Sequence, residues 1–424
     1  MASERRVSVG SPLSPVTYVG TDGGAPLSID LYIGNHAHIQ VAYGGEVAAE
    51  VVHGLKHYIR QKAQDAITVT HSPSGGLHLE MARSYLSPPV RAEGARWLSL
   101  DVIGGDAPYV TLVTSRGPVC LWLSVMIGGP FISEVDRAST MSAASFSGDP
   151  VMHDALWAAR YRADMTAVAG VLERLTVSDG DRGNAEALAL HWQPIRHAGQ
   201  PDRILYCEAL TRFAEADGGL RSASAEIMAL ERVGFSRIFD RHIVDLVIAE
   251  LERTPSIALA ANISAQSVRW DHSWVDIERR LRSRPDIARR LIIEVTETSS
   301  IFDVASAVRF VTHMRAVGCR IALDDFGAGC TSLRWLRILS PDIVKIDRQF
   351  LIRAEKSKFG WQSLFHLVRL ANASGALVVM EGVEIEAQSS LASEIGIDCQ
   401  QGYYWGRPSL IGEAVKPLEC SKSR

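Results

Sequence analysis

An apolar strand that ends on a single acidic or amide residue says little by itself, but a run of such strands strongly limits how a chain can fold. The C-terminal half of this sequence contains ILYCEALTR, IALAANISA, RLIIEVTE, RIALDDFG, DIVKIDRQF, LVVMEGVE and DCQQGYY. They put Glu208, Asn262, Glu294, Asp324, Asp325, Lys345, Glu381 and Gln401 at or just past successive short strands. Helical stretches closed by glycine lie between some of them, as in VASAVRFVTHMRAVG before CRIALDDFG and WQSLFHLVRLANASG before ALVVMEGV. Strand, loop and helix in repetition is the βαβ rhythm, with glycine supplying the left-handed helix end. A span of about 230 residues suits one parallel barrel, which builds its site from many strand ends.

The residue types at those ends define the chemistry. Clustered carboxylates with an amide and one lysine suit hard, oxygen-liganded cations such as magnesium or manganese. Like charges packed together repel, and protons or bound cations must relieve that repulsion. Neighbouring side chains on a regular strand face opposite ways. Asp324 and Asp325 therefore reach one site only if the strand ends between them, which Gly327 and Gly329 permit. Two cations about 4 Å apart can share a carboxylate, clamp a phosphate and lower the pKa of bound water. Lys345 is no metal ligand while protonated; it can hold the attacking water, neutralise charge on phosphate oxygens, or simply pair with Asp347. The ring has no histidine, which disfavours a zinc hydrolase, and no Ser–His–acid order, which disfavours acyl transfer. One glutamate after a strand is ordinarily a solvated loop residue. The argument rests on recurrence at the same place in each unit.

Bulk properties set limits. The chain has 424 residues, 47% hydrophobic and 22% charged, and a formal net charge of -4. It is long enough for two or three domains, and the charge gives no reason to expect DNA or RNA binding. Six cysteines without close metal-type spacing point to a reducing, cytoplasmic setting and no structural disulfide. MASERRVSVGSPLSPV lacks the apolar run of a signal peptide. The longest apolar stretch, VCLWLSVMIGG, is too short to span a bilayer and reads as a buried strand.

Residues 1–24 read as a flexible arm and 25–175 as a mixed α/β domain. In that domain LSIDLYI is a strand. GEVAAEVVHGLKHYIRQK is a helix, with Val47, Val51, Leu55 and Ile59 at fourfold intervals. DAITVT and GGLHLEMA form a hairpin, ARWLSLDVI, PYVTLVTS and VCLWLSVMI are strands, and a long helical pattern starts near Asp149. Residues 176–187 read as a linker, 188–415 as the barrel and 416–424 as a tail.

On these motifs, residues 188–410 closely resemble the EAL-type cyclic di-GMP phosphodiesterases. The naming motif stands as Glu208-Ala209-Leu210, extended by Arg212. The resemblance implies a modified TIM (β/α)8 barrel, commonly paired as a homodimer through the barrel. It implies magnesium- or manganese-dependent hydrolysis of cyclic di-GMP to linear pGpG. Glu208, Asn262, Glu294, Asp324, Asp325 and Glu381 match metal-site positions. Arg212 matches a phosphate contact, and Gln193 in WQPI lies in the motif that holds the nucleotide. Lys345 and Gln401 match residues near the attacking water. Asp347 stands beside them at the substrate. Glu297 matches the anchor of the loop after the paired aspartates, and Glu384 matches the partner of Glu381. Trp192 departs from the usual tyrosine. Cys330 stands where tyrosine is usual, which bears on regulation or rate more than on chemistry.

The N-terminal half is similar, more weakly, to a GGDEF-type diguanylate cyclase domain that has lost its chemistry. Ile39-Gln40-Val41-Ala42-Tyr43-Gly44 occupies the place of a guanine-reading segment, with Gln40 for the usual asparagine. Gly34 falls where a metal-binding aspartate belongs. The signature hairpin survives only as Gly75-Gly76-Leu77-His78-Leu79, in which neither Leu77 nor His78 suits magnesium. The expectation is an α/β domain without cyclase activity, in which the glycines make a turn and the surface is free for a signalling protein partner. Two alternatives remain open: a non-hydrolysing cyclic di-GMP receptor, and an interaction scaffold without either activity.

Overall fold

In the computed structural model the described residues are 27–63, 67–71, 76–81, 109–128, 155–176, 188–215, 219–296, 303–328 and 332–417. The chain divides into two compact units between Gly183 and Asn184, inside the stretch read as a linker. The candidate strand ARWLSLDVI, the loop anchor Glu297 and Cys330 lie outside the described residues.

The first unit contains β1 (Leu27–Ile33), α1 (His36–Tyr43), α2 (Gly45–Ala63), β2 (Ile67–His71), β3 (Leu77–Met81), β4 (Tyr109–Thr114), β5 (Gly117–Gly128) and α3 (Ala155–Thr176). Its strands pair antiparallel in the order β2-β3-β1-β5-β4. Val47, Val51, Leu55 and Ile59 are all buried, so the fourfold repeat marks the core-facing stripe of α2. Val119, Leu121 and Leu123 alternate inward along β5. The expected β2–β3 hairpin forms, and Gly76 sits where the chain crosses β1. A Cβ there would come within 2.3 Å of the Leu31 carbonyl oxygen, so glycine is required for close backbone approach.

The second unit opens with a long hairpin, β6 (Leu188–His197) and β7 (Gln200–Ala214), followed by β8 (Leu220–Ser222), α4 (Ser224–Val233) and α5 (Ser236–Arg253). Next come β9 (Leu259–Ser264), a 3-10 turn (Ala265–Ser267), α6 (His272–Ser283), α7 (Pro285–Ala288) and β10 (Leu291–Thr296). Then follow α8 (Val304–Val317), β11 (Arg320–Phe326), α9 (Ser332–Leu339), β12 (Ile343–Ile346), α10 (Arg348–Lys356) and α11 (Lys358–Ala373). The unit ends with β13 (Leu377–Met380), α12 (Glu386–Ile395), β14 (Cys399–Gln401) and α13 (Ile411–Ala414). Eight strands close in the order β6-β14-β13-β12-β11-β10-β9-β7 and back to β6, with β8 on the outer edge of β7.

From β7 and β9 through β14 neighbouring strands run parallel, as the βαβ rhythm requires. β6 runs antiparallel to both its neighbours, which is where the barrel departs from a uniform (β/α)8 plan. Strand-to-strand alternation places two residue sets inside the barrel. One is an apolar layer of Ile195, Tyr206, Ala260, Ile292, Ala322, Ile343, Val379 and Cys399. The other lies two residues away on each strand, at the mouth: Gln193, Glu208, Asn262, Glu294, Asp324, Lys345, Glu381 and Gln401. Cys120, Cys207, Cys319 and Cys399 are free and buried. Among the described residues no helix is long and apolar enough to cross a membrane.

Candidate metal and phosphodiester site

At the barrel mouth one buried ammonium is shared by four carboxylates. Lys345 Nζ lies 3.0 Å from Glu208, 3.0 Å from Glu294, 3.0 Å from Asp324 and 2.8 Å from Glu381. Lys345 and Glu294 are fully buried. Coulomb attraction at these distances is strong where water is excluded, and it compensates the cost of desolvating the ammonium. The lysine thus turns inward, away from the neighbouring Asp347. Asp347 instead caps α10, accepting from the Gln349 N–H at 2.9 Å.

Glu208 is the best-supported carboxylate. Gln401 donates to its Oε2 at 2.6 Å and Asn262 to its Oε1 at 2.6 Å. Gln401 also donates to Gln193 Oε1 at 3.3 Å, and Gln193 donates to the Gly406 carbonyl at 3.0 Å. Burial pushes the Glu208 carboxyl up, but the Lys345 ammonium and the two amides outweigh it and hold Glu208 below the usual range. Burial, with Glu208 and Asp324 nearby, pushes Glu294 up to about 8. Burial and Asp324 raise Asp325 to about 7 and lift Glu381 well above its ordinary value. Lys345, despite burial, is held firmly protonated by its carboxylates. A single ammonium cannot neutralise five acids, so further positive charge, such as a divalent cation, would relieve their repulsion.

The paired aspartates converge as their loop demands. Pairing between β11 and β12 shifts register between Leu323 and Phe326, and Asp325 adopts a left-handed φ of 54°. That local strain re-aims one carboxylate. Ligand oxygens of Asp324, Asp325 and Glu381 lie within 4.8 Å of one another, as do those of Glu208, Glu294 and Asp324. Asp324 belongs to both groups, the arrangement two neighbouring cations sharing a carboxylate would use. Buried oxygens on Asn262 (Oδ1), Glu294 (Oε1) and Gln401 (Oε1) have no hydrogen-bond donor. Such hard, unsatisfied acceptors fit magnesium or manganese.

Other candidates stand further out. Arg212 is half-buried on β7 and donates to the Thr211 carbonyl at 3.0 Å. Glu384 is exposed; its N–H donates to Gln388 at 2.8 Å, and its carboxylate lies 3.9 Å from Arg348. Trp192 is buried and exchanges backbone hydrogen bonds with Ser409 at 2.7 and 3.1 Å, so the large ring packs where the chain closes the barrel. Two supports escaped the sequence reading. Asp240 on α5 accepts from Ser264 N–H at 2.8 Å and from Ser267 Oγ at 2.6 Å, pinning the turn just past Asn262. Tyr206 lies two residues before Glu208, a position that strand periodicity alone turns toward the barrel interior.

The EAL domain family matches residues 181–408. Cyclic di-GMP phosphodiesterase PdeF of Escherichia coli is 29% identical over 219 residues, covering 51% of this chain and 29% of that protein. Cyclic di-GMP phosphodiesterase TpdA of Vibrio parahaemolyticus is 27% identical over 214 residues, covering 50% of this chain and 36% of that protein. The chain therefore spans well under half the length of either relative. Among solved structures, an EAL domain protein from Listeria monocytogenes is 25% identical with a TM-score of 0.48, covering 53% of this chain and 90% of that one. The PaMucR phosphodiesterase in complex with c-di-GMP is 28% identical with a TM-score of 0.47, covering 53% and 98%.

Proposed function

Since the chain belongs to the EAL domain family, we propose that its barrel hydrolyses cyclic di-GMP to linear pGpG with magnesium or manganese. The observation that carries this reading is the intact oxygen-rich ring, with Asp324 common to two ligand groups. Relatives named as cyclic di-GMP phosphodiesterases supply the substrate class. Glu208, Asn262, Glu294, Asp324, Asp325 and Glu381 would hold the cations. Their chemistry would be to lower the pKa of water and to neutralise phosphate charge.

The chain's own groups do the rest. Gln401 and Asn262 fix Glu208 through their amide donors, so the ring is preorganised before substrate arrives. Lys345 orients and neutralises rather than accepting a proton, because four carboxylates within 3.0 Å favour its charged form. Arg212 offers a guanidinium to a phosphate, Gln193 braces the nucleotide end, and Asp347 stands at the substrate side beside Lys345. By the family motif Glu384 would support Glu381, and Glu297, outside the described residues, would take the loop-anchoring role.

The first unit fits a cyclase-like domain without cyclase chemistry. A Cβ at Gly34 would lie 2.4 Å from the Trp122 ring, so the space an acidic side chain needs is filled by indole. That unit then serves regulation or a signalling protein partner, while barrels pair as a homodimer in the cytoplasm.

The test is turnover of the 424-residue chain with cyclic di-GMP in magnesium and in manganese, read as pGpG by chromatography. Metal-dependent product that chelation abolishes, and that Asp324→Asn lacks, is expected. Saturable nucleotide binding without product would replace the enzyme by the receptor reading.

A further inference from the structure

The apolar layer beneath the ring has one member out of keeping. Ile195, Ala260, Ile292, Ala322, Ile343, Val379 and Cys399 carry no oxygen, whereas Tyr206 brings a fully buried phenol into the middle of the barrel. A buried hydroxyl needs a hydrogen-bond partner, or it costs about 1–3 kcal/mol. The charged groups that act on it most, Glu294, Lys345 and Glu208, belong to the mouth. The hydroxyl lies against the Glu294 carboxylate, yet it closes no well-aligned hydrogen bond, and Glu294 Oε1 is equally without one. Glu294 Oε2 is already committed to Lys345 at 3.0 Å. Tyr206 Oη and Glu294 Oε1 are thus a buried donor and a buried acceptor, each without a well-formed hydrogen bond.

Building on the metal-site reading above, we propose that Tyr206 is a positioning residue of that site. Its phenolic O–H donates to Glu294 Oε1 from the apolar side and fixes the rotation of the carboxylate, so that the remaining lone pairs face the cation. With Glu294 serving as a cation ligand, the phenol would keep its carboxylate from swinging. A phenol is a donor at neutral pH and needs no change of charge for this role. Outer partners that orient a ligating carboxylate typically alter metal affinity by tenfold or more.

The experiment compares wild-type full chain with Tyr206→Phe, which deletes one oxygen and keeps the ring. Manganese binding is titrated by calorimetry, and thermal unfolding is recorded in EDTA on the same samples. The expected result is manganese affinity about tenfold lower, with the EDTA unfolding temperature unchanged or higher. Turnover at saturating manganese should stay near wild type, so the loss appears in the metal requirement rather than in kcat. Affinity within twofold of wild type would overturn the proposal. So would loss of the fold in EDTA, because the hydroxyl is assigned no packing role. If wild-type protein binds no manganese, the metal-site reading falls and this one with it. Wild-type binding that Tyr206→Phe leaves intact overturns only the role of Tyr206.

Discussion

Asp240 offers a quantitative test of how the barrel supports its strand ends. Its carboxyl is buried between α5 and the turn after β9, and a single oxygen, Oδ2, accepts from both Ser264 and Ser267. Burial pushes its pKa from 3.8 up to about 7, against the two hydrogen bonds. The sign follows from linkage. The folded state binds the proton more tightly than the unfolded state, so stability falls as pH rises from the unfolded pKa and levels off above the folded one. At about 1.36 kcal/mol per unit, the full swing is roughly 4 kcal/mol, of which about 2.5 kcal/mol lies between pH 5 and pH 8. Asp240→Asn mimics the protonated carboxyl and cannot titrate. Its amide oxygen can take both donors, so the variant should gain on wild type as pH rises. The assay is urea unfolding of both proteins at pH 5, 6.5 and 8, followed by the difference in unfolding free energy at each pH. An increase of about 2.5 kcal/mol in favour of the variant is expected. A pH-independent difference would refute the reasoning and show that Asp240 is ionised in the fold with hidden compensation.

Three further outcomes are expected. Lys345→Met should leave four carboxylates, three of them buried, without their ammonium, costing about 3–5 kcal/mol in EDTA. Manganese should restore part of that loss, which thermal unfolding with and without the metal would show. Gly327→Ala places a Cβ 2.6 Å from Phe350 at a φ of 96°. It should cost roughly 1–3 kcal/mol and weaken manganese binding by disturbing the Asp325 turn, read by unfolding and by calorimetry. Gly34→Asp should fail to create GTP-dependent cyclase activity and should lower the unfolding temperature instead, since the new side chain collides with Trp122.

Much of the ring was legible because a strand's period of two is simple, and a carboxylate recurring after each apolar run leaves few alternatives to a shared mouth. The fold of the first unit was legible in α2 through the helical period instead, since its fourfold apolar stripe is its buried face. What sequence could not convey is which inward residues meet across the barrel, because that depends on strand stagger. Lys345 and Asp347 looked equally paired in KID, yet three-dimensional placement gives the lysine four distant carboxylates and makes the aspartate a helix cap. Asp240 lies on a helix and reads locally as a solvent-facing acid. Only packing of α5 against the turn after β9 reveals its buried role. The period of two on β7 turns Tyr206 inward, but nothing in the sequence distinguishes a phenol that fills space from one that faces a carboxylate.

The shared ammonium also bears on how the barrel comes together. Lys345 on β12 joins Glu208 on β7, Glu294 on β10, Asp324 on β11 and Glu381 just past β13, reaching back 137 residues to the first of them. A chain folded only as far as β11 would carry three of these acids without the ammonium that compensates them. A half-barrel therefore lacks this compensation, and closure of the ring draws on the strand that carries the lysine. The charge cluster that readies this site for chemistry should make the barrel fold all at once rather than in halves, at the slow pace typical of contacts between distant parts of a chain.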